Sequence, residues 1–382
     1  MNPAPGPTPE RDAHPQLDNL TLSRKEGFRA LAETPRREQP ELLTPQQIAD
    51  LSEAARLEYH DDRSVWHANL GPFRTPQLEA VQEDLWDIIG SNQQNGDKPK
   101  GAVAIDAFPG LGKTTAVLNL ALKYHREQIA RHGAFTSAGH ERWPVCWVGL
   151  TSNIGMKDFN RALLEFFAHP GRRSGTAALF AQRALDCVLG CETKLLIIDD
   201  LHFLKWQDKN GREVSNHFKY IANEFPVTLI FVGVELESRG LYSEIDSSGD
   251  ITLAQTGRRT TPLTMDPYLV TNDAHRVAWR KLMLTLEQRI VLARKFPGML
   301  AEELSDYLYV RSTGHIGSLM TLINRGCQRA VRTGAEVLTQ ELLDQVKMDA
   351  AAERARKALE KKFARRKMTT KPRRSRPRKQ AA

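Results

Sequence analysis

No apolar run in this sequence approaches the ~20 residues that a membrane-spanning helix needs. The longest, VTLIFVGV, has eight. A membrane-embedded function is therefore not expected. The first residues, MNPAPGPTPE, hold prolines and an acid where a secretory leader carries cations and then an apolar stretch. Export is not expected either. Cysteine is scarce, with Cys146, Cys187, Cys191 and Cys327 scattered along the chain. Cys187 and Cys191 lie one helical turn apart, but no second pair follows, and the nearest downstream histidine, His202, stands alone. The spacing of a zinc site is missing, so buried or free thiols in a reducing cytoplasm are expected. There is no internal repeat.

What is present is a chain of 382 residues, long enough for two or three domains, with 41% hydrophobic residues, enough for a sizeable core. The net charge of +8 is unevenly placed: from Glu353 to the end, 14 Lys/Arg against two acids give +12, which leaves −4 for everything before. A cationic tail on a mildly acidic body favours a polyanion such as DNA, because neutralised phosphates release condensed counterions. The alternative is a tail that only solubilises.

Residues 1–43, rich in Pro, Glu and Arg and without an apolar period, predict a disordered N-terminus. A small helical region, 44–97, follows. Thr44 with Gln47 spells a capping box, and Thr75-Pro76 a second helix start, with an apolar face through Leu78, Val81, Leu85, Ile88 and Ile89. Then short apolar runs alternate with helical stretches. Strands are predicted at Ala102–Asp106, Val145–Leu150, Leu195–Asp199, Val227–Val232 and Pro262–Met265. Helices are predicted at Thr114–Glu127, Lys157–Phe167, Thr176–Leu189 and Val214–Phe225. This alternation predicts an α/β core, 98–268, with a parallel sheet and flanking helices. A helical lid, 269–350, and a basic tail, 351–382, complete the chain.

The strongest chemical signal is AVAIDAFPGLGKTT. A buried strand runs into a loop of Ala107, Pro109, Gly110, Leu111 and Gly112, then Lys113, Thr114, Thr115 and a helix. Glycines let backbone N–H groups approach phosphates, and the helix N-terminus favours anions. Lys113 is suited to the β- and γ-phosphates and the Thr114 hydroxyl to Mg2+, which makes ATP and Mg2+ the expected cofactors. The pattern departs at its first position, where Ala107 stands in place of glycine. Downstream, KLLIIDDLHFL reads as a strand ending on a metal-side carboxylate, Asp199, followed by Asp200. Asp200 stands where many such ATPases carry a glutamate that orients the attacking water. It is one methylene shorter, so slow turnover is expected. His202 is read either as a switch contact or as a core or capping histidine. After VTLIFVGV, Gly233 and Val234 offer no polar sensor. Arg258 and Arg259, just before the last strand, are read as reaching a neighbouring subunit's γ-phosphate, or else as a solvated basic pair.

From about Thr44 to Val331 the chain resembles the TniB/TnsC family of transposition ATPases, relatives of the IstB and MuB helpers, within the AAA+ P-loop NTPases. The residues that carry the likeness are RTPQL (Arg74–Leu78), IDAFPGLGKTT, LLIIDDLHFL, SNHFKYIANEFPVTLIFVGV, Arg258–Arg259 and TGHIGSL (Thr313–Leu319). The resemblance implies an AAA+ core with a helical lid and an ATPase that assembles as a ring or filament on double-stranded DNA. It further implies recruitment of a DDE-type transposase, a target-selection protein among the partners, and a nucleoid-associated cytoplasmic location. In TGHIG, Gly317 replaces the lid arginine of many AAA+ proteins. The competing expectations are a helicase loader, told apart by the helicase it captures, and a nucleotide-switched signalling scaffold without DNA affinity.

Overall fold

The computed structural model describes residues 17–95, 98–150, 155–201, 217–218, 220–238, 259–365 and 368–372. They form two compact units, both discontinuous in sequence. The first comprises the chain up to Arg36, Gln82–Asp106 and Ala116–Thr264; the second comprises Arg37–Val81, Ala107–Thr115 and everything from Met265.

In the first unit, five parallel strands run in the order β2-β3-β4-β1-β5. They are β1 (Ala102–Asp106), β2 (Val145–Gly149), β3 (Leu195–Asp199), β4 (Thr228–Gly233) and β5 (Thr260–Thr264). The first four are the short apolar runs of the sequence, and their residues are almost all buried, as a strand covered on both faces must be. β5 buries only Thr260 and Leu263, and it holds Pro262 at a sheet edge, where a missing N–H is tolerated. It starts two residues earlier than the sequence suggested, because Ala102 N–H bonds the carbonyl of Arg259 and sets the register. The packed helices are α5 (Lys113–His132), which begins in the second unit, α6 (Met156–Phe166) and α7 (Ala177–Gly190), the last capped by Thr176 on Leu179 N–H.

Part of the segment expected to be disordered is a helix, while residues 1–16 lie outside the described residues. Lys25–Glu33 form helix α1, whose Phe28 is fully buried edge-on against the rings of His125 and Phe166. Lys25 Nζ and Arg29 Nη2 bind the carboxylate of Glu141 at 2.6 and 3.1 Å, and Arg29 lies over Trp143. One aromatic and two well-placed cations order a segment whose average composition signals disorder. The bonded cations hold the Glu141 carboxyl down at about 2, with the Lys25 hydrogen bond the largest cause.

The second unit opens with α2 (Pro45–Asp50), which has its capping box at Thr44 and Gln47, and α3 (Glu53–Ala68). Next comes the start of α4 (Pro76–Ser91), capped by Thr75 on Leu78 N–H. It resumes after Met265 with α8 (Asp273–Arg289), a π-turn at Met299–Glu303, α9 (Ser305–Ser312), α10 (Ile316–Thr333), α11 (Gln340–Asp344) and α12 (Ala350–Ala364). Its core gathers Trp66, Leu70, Trp279, Leu286, Leu319 and Ile323. A buried ion pair ties α3 to the turn after α10: Arg63 meets both oxygens of Glu336 at 2.7 and 2.9 Å, and Glu336 also accepts Ala293 N–H. The basic tail expected from residue 351 begins inside a helix. Further on, Thr370 is buried, its hydroxyl and N–H both bonding Asp306 at 2.6 and 2.7 Å. The run from Arg373 lies outside the described residues.

Candidate functional site

At the end of β1 the chain turns through Ala107 and Phe108 to Pro109-Gly110-Leu111-Gly112, and α5 starts at Lys113. Gly110 and Gly112 have φ of 79° and 92°, a region in which side chains are strained. Ala107 is not among the residues of positive φ, so alanine in place of glycine costs the loop nothing there. Ala107 and Leu111 are buried and anchor the loop, while Thr114 and Thr115 are exposed. Lys113 Nζ donates to Phe108 O at 3.4 Å.

The loop lines a cavity of about 550 Å³ in the second unit. Gly110 to Thr115 share its wall with Leu70, Phe73, Leu78, Met265, Ile316 and Met320. The cavity therefore combines backbone amides and a helix start with apolar side chains, within the volume range of small-molecule sites. Part of the wall comes from the two sequence motifs outside the loop. Thr75 of RTPQL lines the cavity, as does the start of α10, which belongs to TGHIGSL.

Tyr268 joins these motifs. Its N–H bonds the carbonyl of Gly314, and its phenol is pushed up by burial above all, with Thr75 acting in the opposite direction. Gly317, where a lid arginine was looked for, instead donates its N–H to Gly110 O at 2.8 Å. A Cβ at Gly317 would lie 2.9 Å from Gly110 Cα and 3.0 Å from its carbonyl oxygen. The glycine is there because α10 touches the loop backbone. Sequence reading missed both this contact and the cavity wall at Ala68–Phe73, which carries no motif.

The remaining candidates belong to the first unit. Asp199 ends β3 and is buried; Asp200 follows, exposed, at φ 60°, and its N–H bonds Asp199 Oδ1 at 2.9 Å. An aspartate tolerates this left-handed conformation better than most residues, and outliers of this kind gather at functional sites. The carboxyl ends of β1 and β3 lie at the same edge of the parallel sheet, with β4 between them. That is the edge where open α/β sheets bind ligands. Arg259 sits at the opposite, amino-terminal edge, level with Ala102, and donates to Asn223 Oδ1 at 2.8 Å. Arg258 and His202 lie outside the described residues.

Residues 96–241 match the family model of an AAA domain. The fold is that of an AAA+ P-loop NTPase with a helical C-terminal region. Among solved structures, the chain is similar to the ORC1 protein of Aeropyrum pernix in complex with DNA. The identity is 17%, the TM-score 0.53, and the match covers 78% of this chain and 69% of that one. It is also similar to Drosophila ORC bound to DNA, with 12% identity, a TM-score of 0.50, and 84% and 71% of the two chains covered. At such identities the likeness is one of fold. No curated protein matches the sequence.

The AAA+ loop and cavity fit a nucleoside triphosphate, with anion-binding backbone, room and apolar walls. Thr114 places a hydroxyl, an oxygen donor of the kind Mg2+ prefers beside phosphates, on the loop itself. No cluster of three His, Cys, Asp or Glu exists among the described residues to form an all-protein cage. No helix among them is long and apolar enough to cross a membrane.

Proposed function

We propose that this chain is an ATP-switched AAA+ ATPase that assembles as a homo-oligomer on duplex DNA and brings a partner enzyme to it. The observation that carries the reading is the cavity in which α10 of the lid rests its Gly317 N–H on the Gly110 carbonyl of the phosphate loop. A lid in direct backbone contact with that loop responds to what the loop holds. In this reading Lys113 binds the β- and γ-phosphates, and Thr114 and Asp199 hold Mg2+, which neutralises charge on the transferred phosphoryl group. Asp200 holds the attacking water. Arg258, with Arg259 beside it, acts on the nucleotide of a neighbouring subunit. The basic run that ends the chain adds phosphate contacts.

Two proteins of this fold have been solved with DNA, the Aeropyrum pernix ORC1 protein and Drosophila ORC. This favours an initiator- or loader-like role, with a hexameric helicase as the partner. A second reading, control of transposition with a DDE-type transposase and a target-selection protein as partners, rests on the TniB/TnsC resemblance of RTPQL and TGHIGSL. Both motifs border the cavity, and in this reading they serve the nucleotide, so they do not choose between partners.

The test is capture from purified components. Immobilised duplex DNA carrying the protein and ATP is offered a hexameric helicase or a DDE-type transposase from the same genome. Retention of the helicase alone supports the first reading, and retention of the transposase alone replaces it with the second. Retention of neither, with DNA binding intact, removes partner delivery from the account.

A further inference from the structure

A second cleft, of about 680 Å³, opens in the lid unit between α3, the C-terminal half of α10 and the residues after α11. His60 and Ser64 of α3, Arg325, Arg329 and Arg332 of α10, and Lys347 are among its lining residues. No carboxylate lines it. In a body that carries −4 before Glu353, four cations without an acid among them are not the background composition. The three arginines recur at intervals of four and three residues, which puts them on one face of α10. Two are held in place: Arg325 Nη1 donates to Lys347 O at 2.6 Å, and Arg329 donates to the Gln345 amide oxygen. Arg332 is exposed. None of the three has a carboxylate partner within ion-pair distance in the described structure.

We propose that this arginine-lined groove binds the sugar–phosphate backbone of duplex DNA. The row extends over seven residues of helix, about 10 Å at ~1.5 Å per residue. One DNA strand presents a phosphate about every 3.4 Å of axis, so the row covers about three of them. A straight row on a rigid helix suits an extended polyanion better than a compact one. The planar guanidinium fork suits phosphate oxygens in particular. The groove also leads into the basic end of the chain, since Lys347 precedes α12, which carries Arg354, Lys357, Lys361 and Lys362. Contacts of this kind fix register without reading bases, so binding is independent of sequence. The proposal rests on the DNA-bound reading above and deepens it by naming where the lid meets DNA.

The experiment compares the full-length parent with the triple variant Arg325→Gln, Arg329→Gln, Arg332→Gln. Duplex DNA binding is followed across a salt series with ATP, and ATP affinity is measured in parallel. Each lost phosphate contact removes about 0.9 from the slope of log affinity against log salt, so a slope flatter by about 3 is expected, with ATP affinity unchanged. Because Arg325 and Arg329 also bridge to the 345–347 segment, a second variant, Arg332→Gln with Lys347→Gln, keeps both bridges. Its slope should flatten by about 2. A parental slope in this double variant overturns the proposal while the DNA-bound reading stands. A parent that binds no duplex DNA at low salt overturns the reading itself. A parental slope combined with loss of partner capture overturns the proposal in favour of an acidic protein surface as the occupant.

Discussion

Gly317 is read from sequence only as a departure from the lid arginine of its fold relatives; the structure gives the position a physical cause. With Gly110 Cα 2.9 Å from where a Cβ would stand, and backbone on both sides, no flexible side chain can yield. Gly317→Ala therefore forces α10 away from the phosphate loop. Overpacking of this kind costs about 1–3 kcal/mol, and if it falls on the nucleotide-bound state ATP affinity drops about tenfold or more. An equilibrium titration with a fluorescent ATP analogue checks this, and parental affinity would mean the contact does not bear on binding. Asp200 is the second residue whose setting sequence leaves open. Its left-handed backbone and its N–H bond to Asp199 set the backbone turn at the end of β3. Asp200→Asn keeps the shape and removes the charge. ATP binding should persist, while single-turnover hydrolysis falls by about 10²-fold, within the range for a positioned base. Unchanged hydrolysis would assign the role elsewhere.

At the scale of elements, legibility follows from how much of a signal is local. β1 to β4 are continuous apolar runs, and their positions are plain in the sequence to within a residue. β5 is a half-buried edge strand whose first residues, Thr260 and Thr261, look like loop, and only its pairing with β1 sets its start. Helix α8 stops at Arg289 although the apolar residues Ile290, Val291 and Leu292 follow it, because those three are fully buried in the core of the second unit. That choice depends on tertiary contacts no window of sequence contains. Helix α1 is the sharpest case, since its neighbours averaged out the one aromatic that mattered. Phe28→Ala should destabilise the first unit by about 3–5 kcal/mol, the usual cost of emptying a buried phenylalanine site. Denaturant unfolding measures it, and a change under ~0.5 kcal/mol would mean that residues 25–33 do not pack as described.

At the scale of the whole molecule, charge and protonation set the behaviour. His67, His125 and His217 are each lowered to about 4, in every case by burial first, with Arg63 adding to it at His67 and Arg29 at His125. Each is neutral in the fold, while in the unfolded chain it titrates near 6.5. Below that pH the unfolded state binds protons that the fold refuses. Stability is therefore full above about 6.5 and is lost as pH falls toward about 4, by up to roughly 3 kcal/mol per histidine. Thermal midpoints at pH 7.5, 6 and 5 should fall in that order, and a flat profile would contradict the buried neutral state.

The tail needs a later cut than its composition suggests, because Thr370 is bound to Asp306. Truncation from Arg373 removes Arg373, Arg374, Arg376, Arg378 and Lys379 and leaves that anchor intact. If two or three of them engage phosphates at once, the salt slope flattens by about 2. An unchanged slope would leave them a solubilising role.

The central claim, that the phosphate loop switches assembly on DNA, is tested most directly by sedimentation of a labelled DNA duplex. The duplex is run with the parent protein and with Lys113→Ala, each with and without ATP. The account predicts large DNA-bound assemblies only for the parent with ATP. Equal assemblies from Lys113→Ala, or from the parent without nucleotide, would contradict it.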